Sequence, residues 1–180
     1  MRIVAGKYRS RKIEFPNVPS RVRPTMDKVR EAVFSSLNME VVNASVLDLF
    51  AGSGAYGLEA LSRGASHAVF VDNFKLSIEA IKNNIETLKE NNAEVIANDY
   101  KVALFNLKDK NIKFDIVFLD PPYKKDIYKE VVDYLLENEM MNEHPIFVLE
   151  CDHELDFSYL DNYKIKRYNY SDTIVYVLRG

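Results

Sequence analysis

The chain has 180 residues, the length of one domain with a full-sized core, and its 47% hydrophobic and 28% charged residues are those of an ordinary globular protein. No apolar run approaches the roughly 18–20 residues that span a bilayer; Arg9, Arg11 and Lys12 interrupt any signal-peptide core, so a cytoplasmic protein is expected. The single Cys151 excludes an internal disulfide and a multi-cysteine metal site, and His67, His144 and His153 lack metal-ligand spacing, so no metal is expected. The net charge of −3 hides an asymmetry: residues 1–30 hold nine basic against two acidic residues, and the remaining 150 hold 15 against 25. A basic segment on an acidic body binds phosphates and steers polyanions, which points to nucleic-acid contact by the N-terminal residues.

In chain order, Met1 to Phe15 alternates loosely, with Ile3, Ala5, Ile13 and Phe15 apolar, and predicts two short strands turning near Arg9-Ser10. Pro16 and Pro19 bound a loop. Thr25 is a candidate N-cap for a helix in which Val29, Val33, Phe34 and Leu37 keep helical spacing. From Ser45 the pattern is regular. Strands are predicted at 46–50, 67–72, 94–98, 114–120, 146–151, 163–170 and 173–178. Helices are predicted at 55–63, 75–91, 100–107 and 125–139. Alternating strands and helices imply right-handed crossovers and a mostly parallel sheet. Only Ser171-Asp172 separates the last two strands, so they form an antiparallel hairpin. The expected architecture is an α/β Rossmann-like sheet of the class I methyltransferase kind. Residues 1–25 form a small basic hairpin extension and residues 26–180 the main unit, within a single globular domain.

The stretch VLDLFAGSGAYG, residues 46–57, reads as a strand, a glycine turn and a helix start, which is a site for a nucleotide-like ligand. Ligands of open α/β sheets lie at the carboxyl ends of the strands, and carboxylates fall at four of those ends here. Asp72 can accept ribose hydroxyls. Asp99 can accept the adenine amine, with Asn73 and Tyr100 lining the base. Asp48 lies near an amino-acid end, and Phe50, Ala51, Gly52 and Gly54 form the turn. S-adenosylmethionine carries an ammonium and a sulfonium, so carboxylates suit it. Gly52, Gly54 and Gly57 also satisfy a dinucleotide-binding spacing, with Asp72 placed like its ribose acid, but a pyrophosphate suits a carboxylate before the turn less well.

Asp120-Pro121-Pro122-Tyr123 after the buried FDIVFL run is the more specific signal. Two prolines stiffen the loop and remove two donors. The Asp120 carboxylate and a proline carbonyl, that of Pro121, become fixed acceptors for the two N–H groups of an aromatic amine. Held so, the nitrogen pyramidalises and its lone pair is aimed for in-line methyl transfer. Tyr123 is expected to stack on the target base. These residues read as an S-adenosylmethionine-dependent methyltransferase of a nucleobase amine.

With both motifs in place the chain resembles the RsmD family of 16S ribosomal RNA guanine-N2 methyltransferases. The resemblance rests on MRIVAGKY (1–8), Arg23-Pro24-Thr25 with Val29-Arg30-Glu31-Ala32, Asp48 to Gly54 with GLEALSRG (57–64), and Phe118 to Tyr123. It implies S-adenosylmethionine along Asp48–Gly54, Asp72 and Asp99, and the target amine at Asp120–Tyr123. Arg2, Lys7, Arg9, Arg11, Lys12, Arg21 and Arg23 would then contact 16S ribosomal RNA, within the small subunit or its precursor, with a monomer as the default state. Val22 departs from the family's usual Thr, Tyr56 from a small or aliphatic residue, and Asp72-Asn73-Phe74 from a Glu-containing stretch. Two other readings are a DNA adenine-N6 methyltransferase and a non-enzymatic RNA-binding assembly module. The absence of a target-recognition domain disfavours the DNA enzyme.

Overall fold

The computed structural model describes residues 1–16, 27–122, 127–170 and 172–180. Helix α1 (Asp27–Leu37) and a 3-10 turn (Asn38–Val41) precede β1 (Ser45–Leu49). Then follow α2 (Ala55–Ser62), β2 (His67–Asp72), α3 (Lys75–Leu88), β3 (Ala93–Ala97), α4 (Tyr100–Asp109), β4 (Phe114–Leu119) and α5 (Tyr128–Glu137). The chain closes with β5 (Met141–Cys151), β6 (Lys164–Tyr170) and β7 (Thr173–Arg179). The strands make one sheet in the order β3-β2-β1-β4-β5-β7-β6. The first five run parallel, and β7 inserts antiparallel between β5 and β6. This is the expected mostly parallel sheet with an antiparallel carboxyl-terminal pair.

Helices cover both faces, so the central strands are apolar on both sides. Val46, Ile116, Phe118 and Val148 pack with Val29, Phe34, Leu58 and Ile81 on the α1–α3 side. Leu47, Val117, Leu119 and Leu149 pack with Leu104, Leu107, Val131 and Leu135 on the α4–α5 side. All eight residues of α2 are buried, Glu59 included, because the helix lies between the sheet and the N-terminal segment.

Most boundaries shift by one to three residues from expectation, and two of the differences are informative. Helix α3 stops at Leu88 rather than Asn91, because Lys89 turns into the left-handed region (φ 55°) and closes the helix. Strand β5 begins at Met141 rather than Ile146. Its first residues, Asn142, Glu143 and His144, are exposed and polar like a loop, and its pairing with β4 shifts register between Phe114 and Ile116.

The N-terminal segment folds back through an antiparallel bridge between Arg2 and Lys12, with the Ile3 N–H donating to the Arg11 carbonyl at 3.0 Å. Ile3 and Ile13 enter the core. Gly6 (φ 83°) lies so close to α2 that a Cβ there would meet the Ser62 carbonyl oxygen at 1.9 Å. No helix among the described residues is long and apolar enough to cross a membrane.

Candidate active site

Three successive features at the carboxyl end of β1 build a cradle. Phe50, Gly52 and Gly54 all lie in the left-handed region, with φ of 68°, 58° and 77°. Within the turn the Ala51, Gly52 and Gly54 N–H groups donate to the Val71 carbonyl, the Asp72 carboxylate and the Ala51 carbonyl, and Gly54 is the N-cap of α2. Gly57 is required for space: a Cβ there would meet the Phe70 ring at 2.3 Å, so the helix could not sit this close to β2. The buried Asp48 carboxylate accepts from the Gly57 N–H at 2.9 Å and ties the strand to the helix it feeds.

Asp72, at the end of β2, braces the cradle from the side. Its two oxygens accept from the Gly52 and Phe74 N–H groups, both at 2.8 Å. The Asn73 N–H and the Ser77 hydroxyl also donate to this carboxylate. Asp99 caps α4 by accepting from the Lys101 N–H at 2.9 Å and is exposed, as is Asn73. The Tyr100 ring packs against Phe50 with centroids 5.1 Å apart and is largely covered, and its hydroxyl donates to Glu130 at 3.2 Å. Phe50 and Tyr100 thus form one apolar wall between the cradle and the edge at Asp99.

Asp120 follows β4 directly, with the buried Pro121 and the exposed Pro122 after it. Tyr123 lies outside the described residues. Neighbouring strand β5 ends in register, since Leu119 pairs with Leu149, and so Glu150 comes beside Asp120. Phe118 and Val148 face the α2 side; by strand alternation Asp120 and Glu150 face it too. Tyr56 fills the space between helix and strands. Its ring stacks on Phe118 (centroids 4.8 Å, 14° between planes), and its hydroxyl donates to Glu150 Oε2 at 2.9 Å. Tyr56, in the first turn of α2 just after the glycine turn, is therefore part of the wall under Asp120.

Burial and mutual repulsion set the electrostatics. Desolvation first, then Glu150 and Asp48, hold the Asp120 carboxyl well above the usual carboxylate range. Asp48 is pushed up to about 7 by burial, despite the Gly57 N–H that favours its charged form, with Asp72 adding to the rise. Asp72 is raised as well, mainly by burial and against three backbone N–H groups. Among the described residues no lysine or arginine forms an ion pair with Asp48, Asp72 or Asp120. An acidic site with no ion-paired cation among the described residues fits a cationic ligand such as S-adenosylmethionine and opposes a pyrophosphate. No group of three or more potential metal ligands occurs among the described residues.

The sequence reading set Asp48, Asp72 and Asp120 along one sheet edge, where the strand order also puts them, and did not single out Glu150. That residue lay inside an apolar strand prediction, and only the register to β4 reveals it. The basic segment is less uniform than its composition. Arg30, within the dense basic run, is fully buried against Glu59 and Asp27. Lys7 pairs with Glu90 at 2.7 Å, Arg11 donates to the Thr87 carbonyl, and Arg2 to the Ser10 carbonyl. Arg9 and Lys12 are exposed, and Arg21 and Arg23 lie outside the described residues. A separate cleft of about 290 Å³, lined by Asp115, Glu143 and His144 among others, lies at the opposite, amino end of β1 and β4.

The comparisons with known proteins agree with this geometry. The family described as conserved hypothetical protein 95 matches residues 1–177. The ribosomal RNA small subunit methyltransferase D of Escherichia coli (strain K12) is 37% identical over 154 residues, 86% of this chain and 76% of that protein. The solved structure of Escherichia coli yhhF superposes with a TM-score of 0.85 at 32% identity, covering 99% of this chain and 97% of that one. A Thermus thermophilus 16S rRNA N2 G1207 methyltransferase, solved with AdoMet and guanosine, shares the fold at 22% identity and a TM-score of 0.70, over 91% of this chain and 45% of that one. The chain belongs to the conserved hypothetical protein 95 family, the RsmD family of ribosomal RNA methyltransferases.

Proposed function

We propose that this protein transfers a methyl group from S-adenosylmethionine to the exocyclic N2 amine of a guanine in the 16S ribosomal RNA of the small subunit. The observation that carries this reading is Asp120: a carboxylate on a proline-stiffened strand end, beside a glycine cradle lined by the buried Asp48 and the half-buried Asp72. The names of the relatives support ribosomal RNA as the substrate.

When bound, S-adenosylmethionine supplies an electrophilic methyl group on a sulfonium. Asp48 and the Phe50–Gly54 turn, with Ala51 inside it, would hold its amino-acid end. Asp72 would take the ribose hydroxyls, and Asn73, Asp99 and Tyr100 would border the adenine. Asp120 and the Pro121 carbonyl would accept the two N–H groups of the target amine, orienting its lone pair. Pro122 keeps the loop rigid, and Tyr123 would stack on the base. As the nitrogen becomes positive, Asp120 takes its proton. Arg9 and Lys12, with Arg2 and Arg11 beside them, would meet RNA phosphates, joined by Lys7, Arg21 and Arg23. The substrate form is the small ribosomal subunit or its precursor, the enzyme acts as a monomer, and the compartment is the cytoplasm. Residues 1–25 serve as the RNA-contacting extension of a methyltransferase domain spanning 26–180.

The test is incubation with S-adenosylmethionine and unmodified small subunits, followed by nucleoside mass spectrometry. N2-methylguanosine should appear, and Asp120→Ala should reduce its formation on the order of 10³-fold while retaining cofactor binding. Methyladenine formed in DNA, with no methylated guanosine in RNA, would replace this reading with the DNA enzyme.

A further inference from the structure

We propose that Glu150, held in place by Tyr56, is a positioning residue that tunes Asp120 as the acceptor of the proton released by the methylated amine. The inference rests on the methyl-transfer reading above and adds two residues to it. Glu150 follows a β5 residue paired with the β4 residue before Asp120, so the two carboxyls sit side by side on one face of the sheet. Glu150 is 5% exposed and Tyr56 likewise 5%. Two contacts fix the geometry. The Tyr56 hydroxyl donates to the Glu150 carboxylate at 2.9 Å, and the Tyr128 hydroxyl donates to the Glu150 backbone carbonyl at 2.7 Å. The stacking of Tyr56 on Phe118, two residues before Asp120, fixes the ring against the strand that carries Asp120.

The chemistry follows from like charges at close range. In the transfer, the nitrogen forms a bond to the methyl carbon as the carbon–sulfur bond breaks. The amine nitrogen then sheds one proton, and Asp120 accepts it. An ordinary carboxylate is a poor acceptor near neutral pH; one beside a second buried carboxylate is a better one. Tyr56 donates as a neutral hydroxyl, because burial and the neighbouring carboxylates hold its own proton firmly.

The titratable and charged groups around Asp120 come from every packed element among the described residues. They are Asp48 on β1, Asp72 after it on β2, Glu150 on β5, Tyr56 on α2, Tyr128 on α5, and Arg30 on α1, which acts on Tyr56. Of these, Asp48 is committed to the Gly57 N–H and Asp72 to the glycine turn. Glu150 accepts from the Tyr56 hydroxyl, a donor that a single-atom change removes.

The experiment is the pH dependence of single-turnover methyl transfer to small subunits, with cofactor affinity and thermal unfolding measured on the same samples. Glu150→Gln should move the acid limb of the rate profile to lower pH by about one unit, since Asp120 loses a like-charged neighbour. It should also lower the plateau rate, with cofactor affinity within about twofold of the parent. Tyr56→Phe keeps the stacked ring and removes only the donor, so it should move the same limb in the same direction by less. A merely structural role would lower the melting temperature and leave the limb in place. An unmoved limb in a folded Glu150→Gln or Tyr56→Phe protein overturns the inference. Parent protein that transfers no methyl group to RNA overturns the functional reading instead, so the two failures are distinguishable.

Discussion

Two regions of this molecule bury acidic side chains, and they do so in opposite ways. Under the N-terminal segment, Glu59 is fully buried and fully answered. It accepts from the Val4 and Ala5 N–H groups at 2.8 and 3.0 Å, from Arg63 at 2.8 Å and from Arg30 at 3.4 Å. At the carboxyl ends of the strands, Asp48, Asp72 and Asp120 lie near one another with backbone N–H groups and no described cation. The first network holds the structure together. The second holds unfavourable charge in a place where a cationic ligand would relieve it, which is the pattern of a site rather than a scaffold.

Breaking the first network should cost the most. Glu59→Gln would leave Arg30, which is 0% exposed, with only the solvent-facing Asp27 as an ionic partner and loosen the N-terminal segment at two backbone donors. A loss of about 3–5 kcal/mol in denaturant unfolding is expected, as for other broken buried pairs. A change below about 1 kcal/mol would show that the network is not structural.

In the second region the same kind of substitution should act with the reverse sign. The Asp48 carboxyl is raised to about 7 in the folded protein, against about 3.9 when unfolded. Folding therefore takes up a proton between those values. The resulting stabilisation is complete below the lower value and is lost as pH rises through about 7. Cofactor-free protein should thus lose stability from pH 5 to pH 8, and Asp48→Asn should flatten that slope and stabilise the protein at pH 8. A steeper slope in the variant would contradict the assignment.

The smallest effects should come from the surface cations. Arg9 and Lys12 are exposed, whereas Lys7 is engaged by Glu90. Reversing Arg9 and Lys12 should each flatten the salt dependence of RNA binding by about one unit of logarithmic slope. Reversing Lys7 should do less to the slope. Equal effects at the three positions would mean that RNA displaces Glu90.

The same contrast explains what could be read from the sequence. The alternation of apolar strands and amphipathic helices made the sheet legible, because burial on each face dictates those periods. The Asp120 loop was legible because acid, double proline and aromatic residue are contiguous. Glu59 was hidden, since an acidic residue in a helix usually faces water, and only the docking of Val4 and Ala5 buries it. Arg30 was counted with a surface patch for the same reason. The Tyr56–Glu150 pair was illegible because its members are 94 residues apart and meet only through the register of β4 with β5. The basic segment's composition was legible, but its partners, Ser62 on α2, Thr87 on α3 and Glu90 just after α3, come from tertiary packing.

The most direct test of the central claim, that the strand-end carboxylates await a cation, is the proton balance of cofactor binding. S-adenosylmethionine would be titrated into the protein calorimetrically near pH 7, in buffers of different ionisation enthalpy, with S-adenosylhomocysteine as the neutral-sulfur control. The account predicts net proton release with S-adenosylmethionine, less with S-adenosylhomocysteine, and a diminished release in Asp48→Asn. Binding of S-adenosylmethionine with no proton released, or with protons taken up, would contradict it.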